Sequence, residues 1–87
     1  MSIAEDNFDR LENPEELYDA IEMGLDIEFR LYAKRYNISW RDNKPFICIC
    51  PDGDAKFYNS VEDLLNRHEV DGKPLRDTWK DMQILAM

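Results

Sequence analysis

Cysteine, histidine and glycine are scarce in this chain, and it has no long apolar run. The only cysteines are Cys48 and Cys50, and the only histidine is His68. Structural zinc takes four ligands, with paired cysteines usually two to four residues apart, so these three residues predict no metal site. On one strand the two thiols would share a face about 7 Å apart, too far for a ready disulfide. The first nine residues are acidic where a signal or transit peptide would be basic. Both features point to a reducing compartment, so a cytoplasmic protein is expected. No stretch approaches the roughly 18 apolar residues of a membrane span.

Glycine is limited to Gly24, Gly53 and Gly72, each at a turn or helix end, which leaves no glycine-rich loop to cradle a phosphate. Ser39 and Ser60 lack a G-x-S-x-G setting. Asp52-Gly53-Asp54 lacks the twelve-residue loop and closing Glu of a calcium site. Nineteen acidic residues make chance carboxylate pairs inevitable, so none identifies an acid–base centre. The expectation is a protein with no cofactor, no metal and no enzymatic activity.

Charge and alternation are what the chain does have. Its 87 residues suit one domain. Residues 1–28 hold ten acids and one base, a balance of −9, whereas residues 29–87 hold nine acids and ten bases, a balance of +1. Residues 1–12 show no periodicity and are expected to form an acidic, mobile arm, with Ile3, Phe8 and Leu11 available to tack it down. The domain proper is expected over 13–87.

Asn13 is a good N-cap, Pro14 suits the first helical position and Glu16 completes a capping box. A helix over about 14–23 follows, with Leu17, Ile21 and Leu25 as its apolar stripe and Gly24 as its stop. From Ile27 the period changes to two. A turn at Ala33-Lys34 would pair Leu31 with Tyr36, Phe29 with Ile38 and Ile27 with Trp40, although Ala is a poor residue for a primed turn. A three-residue turn, Asp42-Asn43-Lys44, leads to a strand from Phe46 to Cys50. The Asp52-Gly53 hairpin leads to another over about 55–59, setting Cys48 opposite Phe57 and Ile47 opposite Tyr58. Ser60 caps a second helix striped by Val61, Leu64 and Leu65, and Pro74 opens a third carrying Leu75, Trp79 and Met82. Ile84 and Leu85 form a docked tail or a short added strand. The predicted fold is α+β: a helix, a four-stranded antiparallel β-meander, then two short C-terminal helices packed on one face of the sheet.

One sheet face would then be the core. The other would carry Arg30, Tyr32, Arg35, Asn37, Ser39, Arg41, Ile47, Ile49 and Tyr58, a mixture of Arg, Tyr and Ile typical of binding surfaces. A two-residue second turn would instead send Ile47 and Ile49 into the core. Arg30, Tyr32, Ile47, Ile49 and Tyr58 are therefore the candidate partner-binding residues. The partner is another protein or a second copy of the chain, in which case the protein is a homodimer. The alternative is an acidic face on the first helix, where Glu15, Asp19 and Glu22 fall at i, i+4 and i+7. Such a stripe suits an inhibitor or antitoxin-like protein that blocks a basic nucleic-acid-binding enzyme. Nucleic acid itself is a poor partner for a chain of pI near 4.5.

The stretch Phe57-Tyr58-Asn59-Ser60-Val61-Glu62-Asp63-Leu64-Leu65, with Val70 to Asp77 and Trp79 after it, resembles the carboxy half of small uncharacterised proteins from Gram-positive bacteria and their mobile elements. The resemblance lies in capping and core residues, so it implies a shared fold and carries no activity or cofactor.

Overall fold

Asn13 caps the first helix. The computed structural model describes residues 10–51 and 53–87, and in it the Asn13 side chain accepts a hydrogen bond from the Glu16 amide at 3.0 Å. Helix α1, Pro14–Glu22, follows. Glu16 reaches back past the cap to the Glu12 amide, at 2.5 Å. Leu17, Ala20 and Ile21 are buried. Met23 closes the helix, and Gly24 leaves it at φ +82, a left-handed geometry that only glycine adopts at little cost. Residues 1–9 of the expected arm lie outside the described residues. Arg10 donates to the Lys80 carbonyl at 3.4 Å, and Leu11 packs against the core.

Five antiparallel strands make the sheet: β1, Ile27–Leu31; β2, Lys34–Arg41; β3, Lys44–Ile49; β4, Lys56–Phe57; and β7, Gln83–Ala86, in spatial order β4-β3-β2-β1-β7. The expected meander is present as β1 to β4, and β7 extends it by pairing with β1. Of the two alternatives for Ile84 and Leu85, the added strand is the one realised.

Both hairpin registers differ from expectation. The first turn is Tyr32-Ala33, at φ 51 and 69, so Phe29 faces Tyr36 and Ile27 faces Ile38. This is a slip of two residues, and a slip of two preserves the faces. The slip stacks the Phe29 and Tyr36 rings at 5.3 Å. It also frees Trp40 from β1, so that its indole N–H donates to the Ile21 carbonyl at 2.7 Å and joins the sheet to α1.

The second turn has two residues, Asp42-Asn43 at φ 55 and 65, and Arg41 pairs with Lys44. Asp and Asn tolerate left-handed geometry through local hydrogen bonding. One residue fewer than the expected turn reverses every side chain of β3. Ile47 therefore opposes Ile38 and Ile49 opposes Tyr36 on the helix side, while Phe46 and Cys48 face the other way. Before β4, the Gly53 amide donates to the Ile49 carbonyl at 2.6 Å. A Cβ at Gly53 would lie 2.5 Å from that carbonyl oxygen, so glycine permits the approach. The ladder resumes only at Lys56, pairing Phe46 with Phe57 in place of the expected Cys48–Phe57 pair.

Ser60 caps helix α2, Val61–Arg67, by accepting from the Asp63 amide at 3.0 Å, and Asp63 reaches back to the Asn59 amide. Val61, Leu64 and Leu65 are buried. A small hairpin follows, β5 Glu69–Val70 and β6 Lys73–Pro74, around Asp71-Gly72. The expected third helix is not formed. In its place are two 3₁₀ turns, Leu75–Asp77 and Trp79–Asp81. Buried Thr78 stands at the break, where its hydroxyl and its amide both donate to the Leu75 carbonyl, at 2.7 and 3.0 Å. The chain then drops to the edge of β1 as β7, with Leu75 and Met82 fully buried.

One core holds the layers together. It joins Leu17, Ala20 and Ile21 of α1 and Val61, Leu64 and Leu65 of α2 to Ile27, Phe29, Leu31, Tyr36, Ile38, Ile47 and Ile84 of the sheet. Both helices thus lie on the same side. Among the described residues, no helix is long and apolar enough to cross a membrane.

Candidate interaction surfaces

The strand pleat that builds the core also determines what lies on the opposite face. Register places Glu28 and Arg30 of β1, Arg35, Asn37, Ser39 and Arg41 of β2, Lys44, Phe46 and Cys48 of β3, and Phe57 of β4 on that side. The buried residues of both helices all belong to the core on the other side, so this second face is bare among the described residues. Four bases stand on it: Arg30, Arg35, Arg41 and Lys44.

Among the described residues two acids face them, and both are engaged. Asp26 accepts from the Asn37 amide group at 2.9 Å, and Glu28 sits 3.5 Å from Arg35 in an exposed pair. Arg30 lies directly opposite Arg35. Like charges so placed cost about 0.2–1 kcal/mol, and a bound anion would relieve that cost. Next to the cations, the Phe46 and Phe57 rings meet at 5.2 Å, and the Arg41 guanidinium lies over Phe46 at 5.4 Å. Phe46 is covered by this packing, but Phe57 is 43 % exposed. Burial pushes the Cys48 thiol up, with Cys50 adding to the effect, so the thiol is protonated at neutral pH and a poor nucleophile.

A second feature lies on the helix side of the sheet, between the β3 end and the β5–β6 hairpin. It is a cleft of about 350 Å³ bordered by Tyr32, Tyr36, Ile47, Ile49, His68 and Val70, among others. Tyr32 donates to the Asp81 carboxylate at 2.6 Å, and that bond raises its pKa more than any other influence. Tyr58 and His68 share a hydrogen bond at 2.9 Å between the phenol oxygen and Nδ1. Burial raises the Tyr58 phenol. Burial also lowers His68, with help from Lys56, so the imidazole is neutral at pH 7.

The third feature is α1 itself. Glu15, Asp19 and Glu22 are all exposed, and none has an ion-pair partner among the described residues. Tyr18 lies beside them, and the Glu22 carboxylate is the main reason its phenol is raised.

The structure therefore divides the five residues expected on one face. Arg30 is on the bare face. Tyr32 is in the first turn. Ile47 and Ile49 are on the helix side because the second turn is short; Ile47 is buried and Ile49 is 40 % exposed at the cleft. Tyr58 also turns to the helix side, where it packs on the core and meets His68. Phe46, Phe57 and Lys44 take their places on the bare face, and the sign of this in the sequence is the Asp-Asn pair that supports a two-residue turn. Among the described residues, no group of His, Cys, Asp and Glu is arranged to hold a metal. No family model, curated protein or solved structure matches this chain.

Proposed function

We propose that this chain is a non-enzymatic protein-interaction domain whose bare sheet face receives an acidic protein partner. The observation that carries the reading is a local excess of cations around an aromatic pair, in a chain whose net charge is −8. Arg and aromatic residues are the side chains that anchor interfaces, and Arg pairs well with carboxylates. An isologous dimer through this face would set cations against cations, so a different, acidic partner is favoured over a symmetric second copy. A nucleic acid has the right sign locally, but its dense charge meets the repulsion of an acidic chain within about one Debye length, ~8–10 Å.

The test is a titration with a glutamate-rich peptide, followed through backbone amide shifts. The expected result is that shifts gather at Arg30, Arg35, Arg41 and Phe57, fade steeply with salt, and vanish in an Arg41→Glu/Lys44→Glu variant. Shifts spread evenly over the molecule would reject the reading, and stronger shifts with a single-stranded oligonucleotide would replace it.

A second reading rests on α1. Three exposed carboxylates on one helical face, without ion-pair partners among the described residues, support an inhibitor or antitoxin-like protein that occupies the anion site of a basic enzyme. Under that reading, Glu15→Lys/Asp19→Lys/Glu22→Lys abolishes partner capture and the sheet variant does not.

A further inference from the structure

Tyr36 presents an anomaly that the bare face does not explain. The residue is 4 % exposed and borders the cleft, yet its hydroxyl makes no hydrogen bond among the described residues. Buried polar groups in folded proteins nearly always have partners. The phenol's pKa is raised by burial first and by the Asp71 carboxylate second, so a negative charge stands near a hydroxyl that has no hydrogen-bond partner among the described residues.

The rest of the cleft has a consistent chemistry. Ile47, Ile49 and Val70 supply apolar wall, and its volume of about 350 Å³ lies at the small end of the range for ligand sites. Asp54, Glu69 and Asp71 bring three carboxylates against the two ammonium groups of Lys34 and Lys56. His68 is neutral, so the lining carries a net negative charge. Tyr32 adds exposed ring surface, which attracts cations.

We propose that this cleft binds a small organic amine with an apolar body, its ammonium donating to the Asp71 carboxylate and to the Tyr36 hydroxyl oxygen. The body lies against Ile49. The site is separate from the bare face and does not depend on the partner proposed there.

The test uses phenethylamine and its acidic counterpart 3-phenylpropionate as probes, each titrated into the full chain and followed by amide shifts. The amine is expected to give saturable shifts at Tyr36, Ile49 and Asp71, and the acid none. Tyr36→Phe keeps the ring that stacks on Phe29, and Asp71→Asn keeps a residue at ease in the left-handed backbone that Asp71 adopts, at φ 54, so both variants should fold. Each should weaken the amine about tenfold or more, the effect of losing one hydrogen bond to a charged group. Without probe, Tyr36→Phe should melt no lower than the parent, because it removes a polar group with no hydrogen-bond partner among the described residues. The proposal is overturned if the amine gives no saturable shifts at the cleft, if the acid binds as tightly, or if affinity is unmoved by either substitution.

Discussion

The two faces of the sheet come from the same strands but follow different rules. On the helix side, Ile27, Phe29, Leu31, Tyr36, Ile38, Ile47 and Ile84 are each at most 4 % exposed, and their identity is dictated by volume and fit. On the bare side, Arg30 opposes Arg35 and Phe57 stands open, arrangements that packing alone does not reward. A surface that keeps mildly unfavourable contacts is one on which stability is not the governing constraint. That contrast separates the residues that hold the fold from those free to recognise something.

Substitutions on neighbouring positions of one strand sharpen the contrast most. Ile38→Ala should cost about 2–5 kcal/mol, through lost burial and an unfilled cavity. Ser39→Ala, one residue along and on the bare face, should stay within about 0.5 kcal/mol. Urea midpoints measure both, and equal losses would erase the distinction. Trp40→Phe should cost about 1 kcal/mol by removing the bond to the Ile21 carbonyl. Arg30→Gln, by contrast, should stabilise by a few tenths of a kcal/mol or leave stability unchanged, since it relieves the opposed Arg pair at an exposed site.

The smallest effect expected is a pH dependence from the helix side. His68 is held below its ordinary value of 6.5, so the unfolded chain binds its proton more readily than the folded one. Its contribution is complete above about pH 6.5 and is lost as pH falls toward the depressed folded value. Unfolding midpoints between pH 7 and pH 5 should therefore decline more in the parent than in His68→Gln.

Much of this architecture was legible in local chemistry. Asn13 and Ser60 announce their helices because capping needs one side chain and one amide, both close in sequence. The stripe Val61, Leu64 and Leu65 and the alternation from Ile27 to Trp40 are likewise local patterns. Register was less legible. Slipping the first hairpin by two residues keeps every apolar residue inward, so periodicity is blind to it; the Phe29–Tyr36 stack and the reach of Trp40 to α1 decide the matter through tertiary contacts. The second turn mattered more, since a single residue moved Ile47 and Ile49 to one side and Phe46 to the other. The last helix failed for a different reason. Leu75, Trp79 and Met82 do fall at helical spacing, but the open edge of β1 accepts Gln83–Ala86 as a strand.

Recognition is proposed for the bare face and not for the acidic helix. The most direct measurement is native mass spectrometry of proteins captured from lysate by the parent, by Arg41→Glu/Lys44→Glu and by Glu15→Lys/Asp19→Lys/Glu22→Lys. An acidic partner held by the parent and by the helix variant, and released by the sheet variant, is the predicted result. Release by the helix variant alone, or retention by all three, would contradict it.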